Sequence, residues 1–171
     1  PQTVNVIPQS VIKDQGAQSM EDVLKNVPGV GLSNGDGQRD QVTIRGFSAI
    51  GDMYVDGIRD DALYFRDLSN VERVEVIKGP AAVLYGRGSS GGLINSISKK
   101  PNFAPKQEVG VSFDSEGKKR TQFDAGWADQ QQNDKAFRVR GRWRTATPFV
   151  TTAISIVKPL RLRPISSSQT I

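Results

Sequence analysis

Residues 68–101 read LSNVERVEVIKGPAAVLYGRGSSGGLINSISKKP, and this stretch decides the fold. Val71 to Ile77 alternate apolar and charged side chains, as a half-exposed strand does. The letters KGP then interrupt the strand, and Ala81 to Tyr85 are predicted to form one helical turn. A glycine-serine loop, Gly86 to Gly92, leads into a second strand over Leu93 to Ser98. The pattern predicts short strands separated by glycine-rich loops and single helical turns.

The residues before this stretch have the same character. Further strands are predicted over residues 2–7, 30–32, 41–45 and 53–55. Ser19 can cap a short helix, and the early acids Glu21 and Asp22 suit the positive end of the helix dipole. The pair Asp56-Gly57 is a hairpin-turn signal.

The pattern changes after Pro105. Residues 107–114 and 120–127 alternate on either side of a turn, and residues 136–140 begin a third strand. Alternating segments of about ten residues are the weak sequence signature of a transmembrane barrel. Alternation then stops, so residues 141–171 are expected to form an irregular tail. A reading-frame shift or a truncation that replaced the rest of a barrel is one hypothesis for this tail, and resequencing the source locus would test it.

The composition limits the classes of function that the chain can serve. Its 171 residues fit one domain, and with neither Cys nor His it cannot build a Ser-His-Asp triad or the site of a zinc hydrolase. All 18 acids precede residue 141, whereas five of the 23 bases follow it. The net charge of +5 therefore lies in the tail, which argues against nucleic-acid binding by the patterned part. No apolar run reaches the roughly 18 residues of a transmembrane helix, and the start at Pro1 predicts that any export signal has been removed.

Two motifs have a structural explanation. Residues 86–91, GRGSSG, formally match the dinucleotide fingerprint, which needs a strand before the glycines and a helix after them. Here helix-like AAVLY precedes and strand-like LINSIS follows, so a tight turn packed against another backbone is favoured. The carboxylates from Asp52 to Asp61 lack the spacing of a calcium loop and are interpreted as solvated acids.

Two groups of side chains favour a binding function. Tyr64, Phe65 and Arg66 place two aromatics and a cation in one predicted loop, which indicates either a contact surface or burial against a neighbour. Arg45 and Lys78 each stand at a strand end before a glycine. Burial there would require a carboxylate partner, so both predict docking against an acidic surface, with ordinary surface charge as the alternative.

At these residues the chain resembles the plug domain of TonB-dependent receptors. The matching pieces stand in the family order: PQTVNVIPQSVIKDQG, EDVLKNVPGV, VTIRGF, VDGIRD and the stretch quoted first. They cover Pro1 to Pro101, over half of the chain. The RGF and GRGSSGG forms are similar to the ferric-siderophore branch, with some likeness to catecholate receptors.

The resemblance implies an α+β fold. Residues 1–104 would be a small mixed β-sheet plug with short helices and long loops. Residues 105–140 would be the first strands, beginning with a β-hairpin, of a transmembrane β-barrel of about 22 strands, and residues 141–171 the irregular tail. The implied function is a plug that gates the import of ferric siderophores. The resemblance implies no enzymatic activity and therefore no catalytic residues, and it implies no metal ligands or cofactor, because the siderophore would hold the iron.

The resemblance also assigns roles to individual residues. Substrate contacts are implied, by position in the outer plug loops, at Asp36, Arg39, Gly51, Asp52, Tyr64, Phe65 and Arg66. Arg45 and Lys78 are implied to pair with glutamates of the barrel wall. The Lys78 ammonium is a point charge, whereas an arginine at this position would donate two parallel hydrogen bonds to a carboxylate. A ferric catecholate is an anion with aromatic rims, which the two arginines and two aromatics of the substrate set suit.

The implied partners are a ferric siderophore, the receptor's own barrel, the outer membrane, and TonB through a segment upstream of Pro1. No nucleic acid is expected among them. The full receptor would lie in the cell outer membrane, whereas the fragment alone is expected to transport nothing and to be periplasmic or misfolded. Two alternatives stay open: the plug of a receptor for cobalamin or haem, and a periplasmic protein-binding module in signalling.

Overall fold

A computed structural model describes residues 3–33, 39–79, 91–113, 119–128, 135–144 and 151–157. They fall into two compact units that divide between Lys99 and Lys100. Unit 1 comprises the residues up to Lys99, and unit 2 comprises those from Lys100 onward. The sequence pattern places this boundary slightly later, between residues 104 and 105.

Unit 1 is an assembly of short elements. Its described helices are α1 (Gln9–Asp14) and α2 (Met20–Leu24), and its described strands are β1 (Thr3–Pro8), β2 (Val30–Ser33), β3 (Gln41–Ile44), β4 (Phe47–Ser48), β5 (Met53–Val55), β6 (Ile58–Arg59), β7 (Val71–Lys78) and β8 (Gly92–Ser98). Five strands form a sheet in the order β1-β7-β8-β5-β6, with β5 and β8 parallel and the other neighbours antiparallel. Strands β2, β3 and β4 form a second sheet in chain order. The α+β fold with a small mixed sheet is confirmed. Neither described helix is long and apolar enough to cross a membrane.

The core of unit 1 contains the apolar residues that alternate with charged residues in the sequence. Along β7, Val71, Val74 and Val76 are buried while the charged residues between them are partly exposed. A register shift between Val71 and Arg73 marks a bulge, which explains why Val71 and Val74 are both buried although they are three residues apart. Other buried members of the same cluster include Met20, Val23, Leu24, Val42, Ile44 and Ile94. Each buried aliphatic side chain of this kind stabilises the fold by roughly 1.5–3 kcal/mol relative to exposure.

Helix α2 begins at the residue that the sequence predicts. Ser19 Oγ accepts a hydrogen bond from the Asp22 N–H at 3.2 Å, and Asp22 Oδ2 accepts one from the Ser19 N–H at 3.1 Å, which completes a capping box. The same carboxylate accepts hydrogen bonds from the Ser19 hydroxyl and the Gln18 N–H. Burial raises the pKa of Asp22, but these hydrogen bonds outweigh it and hold the pKa below the usual 3.8.

We expect Asp22→Ala to lower the free energy of unfolding of unit 1 by about 1 kcal/mol at pH 7, because half of the capping box is lost. Since the folded pKa is depressed, this contribution is present above pH 3.8 and is lost as the pH falls through the folded pKa. Urea unfolding at pH 7 and at acid pH measures both effects. Asp14→Ala, an exposed position in α1, is the control. A difference from wild type that stays constant down to acid pH would contradict the assignment.

Two hairpins of unit 1 use two-residue turns of type I′, with positive φ at both central residues. Asp56 (φ 52°) and Gly57 (φ 82°) join β5 to β6, as the Asp-Gly signal predicts. Arg45 (φ 52°) and Gly46 (φ 85°) join β3 to β4. Arginine rarely adopts this left-handed conformation, which favours Gly, Asn and Asp. The turn leaves the Arg45 side chain exposed at the end of the hairpin.

Unit 2 is one antiparallel sheet in the part of the chain that the structure describes. Its strands are β9 (Lys106–Phe113), β10 (Lys119–Ala128), β11 (Ala136–Arg144) and β12 (Thr151–Val157), in the order β12-β11-β10-β9. The expectation of an irregular tail is therefore wrong for residues 141–144 and 151–157. It relied on the loss of alternation, whereas TTAISIV is rich in β-branched residues and pairs with β11. The rest of the tail lies outside the described residues.

The two faces of the unit 2 sheet differ sharply in polarity. The exposed apolar side chains are Val109, Val111, Phe113, Phe123, Trp127 and Trp143. The buried charged side chains are Arg120, Asp124, Arg138 and Arg140. Both kinds alternate along the strands, as in β9, where Val109 is 78% exposed and its neighbours Glu108 and Gly110 are half-buried. This distribution is the reverse of a sheet that folds in water, where the apolar face is covered.

The charged face of unit 2 contains a buried ion pair between Arg138 and Asp124. Arg138 Nε and Nη2 donate to the two carboxylate oxygens of Asp124 at 2.8 and 2.6 Å. Arg138 Nη1 donates to the Lys100 carbonyl at 2.8 Å. The Arg138 and Asp124 side chains are 6% and 9% exposed. The pair thus links β10, β11 and the segment that precedes β9.

Candidate functional site

Residues 60–66, here called the aromatic loop, are shaped by one guanidinium. Arg66 Nε donates to Asp60 Oδ2 at 3.2 Å, and Nη2 donates to the carbonyls of Asp60 and Ala62 at 2.8 and 2.9 Å. Arg66 Nη1 lies 3.5 Å from the Tyr64 carbonyl and 3.8 Å from Asp40 Oδ2. The Arg66 side chain is only 8% exposed. Each of its three nitrogens thus has a partner inside the protein.

Asp40 connects the aromatic loop to the residues that precede β3. Its Oδ2 accepts a hydrogen bond from the Arg66 N–H at 2.8 Å, and its own N–H donates to the Tyr64 carbonyl at 3.4 Å. Burial raises the pKa of Asp40, and the hydrogen bond and charge of Arg66 oppose that rise. Asp40 is not among the site residues that the sequence predicts. A buried arginine needs a carboxylate partner, but the sequence does not show which of the loop acids supplies it.

Leu63, Tyr64 and Phe65 form the exposed tip of the aromatic loop. Their exposed fractions are 56%, 43% and 49%. The Tyr64 hydroxyl donates to Asp60 Oδ2 at 2.7 Å, and the Arg66 guanidinium carbon lies 4.7 Å from the centre of the Tyr64 ring. Burial raises the pKa of Tyr64, and the hydrogen bond to the Asp60 carboxylate adds to the rise, so the phenol stays protonated. The tip therefore offers ring and aliphatic surface, while the hydroxyl is engaged inside the loop.

Gly51 and Asp52 lie on a second loop, directly before β5. Asp52 is buried, and its Oδ1 lies 3.6 Å from Arg59 Nη2. Its N–H donates to the Ala49 carbonyl, and its own carbonyl accepts the Ile94 N–H. A Cβ added to Gly51 would meet no atom within 4 Å, so the space above this residue is open. The backbone at Gly51 has open space beside it, whereas the Asp52 carboxylate is paired with Arg59.

The predicted substrate residues are thus only partly brought together. Tyr64, Phe65 and Arg66 share the aromatic loop, and the half-buried Arg39 directly precedes its anchor Asp40. Gly51 and Asp52 belong to the separate loop before β5. Asp36 lies outside the described residues.

Lys78 and Arg45 both bind the backbone of the Pro28-Gly29 turn. Lys78 Nζ donates to the Pro28 carbonyl at 2.6 Å, and the Arg45 N–H donates to the next carbonyl, that of Gly29, at 2.9 Å. Lys78 is buried, as its place at a strand end predicts. The Arg45 side chain is exposed, because it stands in the tight hairpin turn between β3 and β4. The fold thus brings the Lys78 ammonium and the Arg45 backbone amide, which are far apart in sequence, to adjacent carbonyls.

The glycine-rich segment ends in close contact with neighbouring backbone. A Cβ on Gly91 would overlap the Ile44 carbonyl oxygen and lie 3.0 Å from Phe47 Cβ. Strand β8 starts at the next residue, where a dinucleotide site would open a helix. The interpretation as a close approach is confirmed at this last glycine, and residues 80–90 lie outside the described residues. Within the described residues, no group of three or more acidic side chains is placed to hold a metal ion.

Comparison with known proteins decides the family. A sequence model described as the TonB-dependent receptor plug domain matches residues 1–93, more than half of the chain. The chain belongs to this plug-domain family. The match ends inside β8, so it covers both loops and both cations described above.

Curated relatives of this plug domain are much longer receptors. The chain is similar to the probable TonB-dependent receptor BfrD of Bordetella pertussis, with 41% identity over 130 residues, which is 74% of this chain and 18% of the relative. It is also similar to the catecholate siderophore receptor Fiu of Escherichia coli, with 49% identity over 104 residues, which is 58% of this chain and 14% of the relative. The chain thus spans less than a fifth of the length of these two relatives.

Solved structures of siderophore and ferric-catecholate receptors match more of the chain than unit 1 alone. The closed form of the ferric-catecholate import receptor Fiu from E. coli matches with a TM-score of 0.82 at 33% identity, covering 93% of this chain and 24% of that chain. The siderophore receptor PiuA from Acinetobacter baumannii matches with a TM-score of 0.76 at 35% identity, covering 84% and 21%. Part of unit 2 therefore also corresponds to structure in these receptors.

Proposed function

We propose that this chain is the plug, with the first barrel strands, of an outer-membrane TonB-dependent receptor that binds and imports ferric siderophores. Membership of the plug family supports the gating role, and similarity to receptors named for catecholate siderophores supports the substrate class. The observation that carries the substrate assignment is the aromatic loop, which presents three apolar side chains on a frame of internal hydrogen bonds. In this proposal the chain binds and gates, and it catalyses no reaction.

The proposed ligand is a metal chelate recognised by its organic rim. The siderophore holds the iron, so the plug needs no metal ligands of its own. Ring faces of Tyr64 and Phe65 suit the flat rings of a catecholate, and Arg39 suits its negative charge. Gly51 lets a ligand approach backbone, because no side chain covers it. Asp36 and Asp52 are further contacts in this proposal.

The polarity of unit 2 supports a place in the outer membrane. Strands of a transmembrane barrel turn apolar residues to lipid and polar residues to the interior. The exposed face with Val109, Phe123 and Trp127 and the buried face with Arg138 and Asp124 follow that rule. These strands would be the first of the barrel that surrounds the plug in the full receptor.

Arg45 and Lys78 are proposed to pair with carboxylates on the inner barrel wall. Arg45 is exposed and free to reach outward from its hairpin. Lys78 has three N–H donors, of which the bond to Pro28 uses one. Ligand binding at the loops would alter these contacts and make a segment upstream of Pro1 available to TonB.

Isothermal titration of the full-length receptor with a ferric catecholate, a ferric hydroxamate, cobalamin and haem tests the substrate class. We expect the catecholate to bind most tightly, and Phe65→Ala to weaken it at least tenfold, which is a reasonable loss for one stacked ring. Ile58→Ala is the matched control, since Ile58 is an exposed apolar residue on the separate β5–β6 hairpin. Binding of cobalamin or haem alone would replace the siderophore assignment, and binding of none of these ligands would favour a protein-binding module.

A further inference from the structure

We propose that Arg66 is a positioning residue, which holds the tip Leu63–Phe65 in the shape that receives a ring-bearing ligand without contacting that ligand. The inference rests on the proposed function. It replaces the direct substrate contact expected for Arg66 with an action through the tip. Three observations support the inference. The Arg66 guanidinium donates to backbone carbonyls of the loop, its charge is balanced by carboxylates, and the Tyr64 side chain is held in place.

The donors of Arg66 are committed to the loop backbone. The carbonyls of Asp60, Ala62 and Tyr64 all face this one guanidinium, at 2.8, 2.9 and 3.5 Å. Alternate carbonyls of a five-residue stretch therefore turn inward, and the side chains between them turn outward. Removing the guanidinium would leave the part-buried carbonyls of Asp60 and Ala62 without this donor, which costs more than an ordinary exposed hydrogen bond. The loop shape consequently depends on Arg66.

The charge of Arg66 is already offset by two carboxylates, one in the aromatic loop and one directly before β3. Asp60 Oδ2 lies 3.2 Å from Nε, and Asp40 Oδ2 lies 3.8 Å from Nη1. Two carboxylates thus face one cation, so this cluster offers no net positive charge to an anionic chelate. A ligand that binds the tip must gain its affinity from ring and aliphatic surface rather than from an ion pair with Arg66.

The Tyr64 side chain is held by two contacts, one at its hydroxyl and one on a face of its ring. Its hydroxyl donates to Asp60 Oδ2 at 2.7 Å, and the Arg66 guanidinium covers one ring face at 4.7 Å. Asp60 Oδ2 therefore accepts from Tyr64 and from Arg66 together. A ring that is ordered before binding loses less entropy when a ligand stacks on it, which raises affinity. The same arrangement leaves the neighbouring Phe65 exposed beside it.

The first test measures loop order without any ligand. In the full 171-residue chain in detergent micelles, amide hydrogen exchange over residues 60–66 is expected to become at least tenfold faster in Arg66→Met and in Arg66→Lys. Lysine keeps the positive charge but lacks the planar guanidinium with its several N–H donors, so it is not expected to restore the order of the loop. Arg59→Met is the matched control, because Arg59 is an exposed arginine paired with Asp52 outside this loop. Unchanged exchange over Val74–Ile77 shows that each variant remains folded, and unchanged exchange over 60–66 in Arg66→Met would overturn the proposal.

The second test adds a diamagnetic stand-in for the ferric complex, gallium(III) tris-catecholate, and follows amide shifts of the tip by nuclear magnetic resonance. We expect wild type and Arg59→Met to show shifts at Leu63–Phe65, and Arg66→Met, Arg66→Lys and Phe65→Ala to bind at least tenfold more weakly. Phe65→Ala should keep the loop protected, which separates loss of contact from loss of shape. Restored binding in Arg66→Lys would mean a direct charge contact and overturn the positioning role. Faster exchange in the Arg66 variants without any shift in wild type would uphold the positioning role and reject the proposed substrate.

Discussion

Replacing Gly92 with alanine is expected to destabilise unit 1 by about 2–6 kcal/mol, which is a large part of the stability of an ordinary domain. Gly92 has a φ of 138°, a conformation that residues with a Cβ rarely adopt. The added Cβ would overlap the Ile77 carbonyl oxygen and lie 2.9 Å from Lys78 Cα. Because Gly92 pairs with Lys78 in the β7–β8 ladder, neither strand can withdraw without breaking hydrogen bonds of the central sheet.

Urea unfolding followed by circular dichroism measures this loss. Gly51→Ala is the matched control, since Gly51 has open space at its Cβ position and its φ is not in the left-handed region. The control is expected to stay within about 0.5 kcal/mol of wild type, as surface substitutions usually do. A Gly92→Ala protein as stable as the control would mean that β7 and β8 are not packed at this point as described.

Arg138→Met is expected to destabilise unit 2 by about 3–5 kcal/mol, because it leaves the buried Asp124 carboxylate without its partner. The loss also removes the hydrogen bond to the Lys100 carbonyl. Lys106→Met is the control in the same sheet. Lys106 and Glu108 are more exposed and 3.5 Å apart, so breaking that pair is expected to cost less than about 1 kcal/mol.

A double substitution separates the ion pair from the burial of the charge. Asp124→Leu combined with Arg138→Met is expected to recover most of the stability lost in Arg138→Met, because no unpaired charge remains. Unfolding of wild type, Arg138→Met, Asp124→Leu and the double variant in the same detergent completes the cycle. Additive losses in the double variant would show that the two side chains act independently, contrary to the geometry.

The elements that the sequence predicts best are those with local causes. The α2 start needs only Ser19 and Asp22, three residues apart, and the β5–β6 turn needs only Asp56 and Gly57. Strands β7 and β8 follow from alternation and β-branched composition within single stretches. The plug family was also predictable, because several motifs stand in a fixed order along the first 101 residues.

What the sequence could not show depends on partners distant along the chain. Arg66 was expected to meet substrate, and nothing local reveals that the carboxylate of Asp40, 26 residues earlier, accepts its N–H. The meeting of Lys78 with Pro28 spans 50 residues and has no sequence signal. Strand β12 is a different case, because its β-branched residues are a local signal that the loss of regular alternation after residue 140 outweighed.

The opposed polarity of the two units has a thermodynamic consequence. Unit 1 hides its aliphatic side chains inside and can reach its fold in water, whereas the sheet of unit 2 exposes six large apolar side chains on one face. Urea therefore acts mainly on one unit, and the amount and kind of amphiphile acts mainly on the other. Heating such a chain should give two transitions with separate midpoints, so a single melting temperature would describe neither unit.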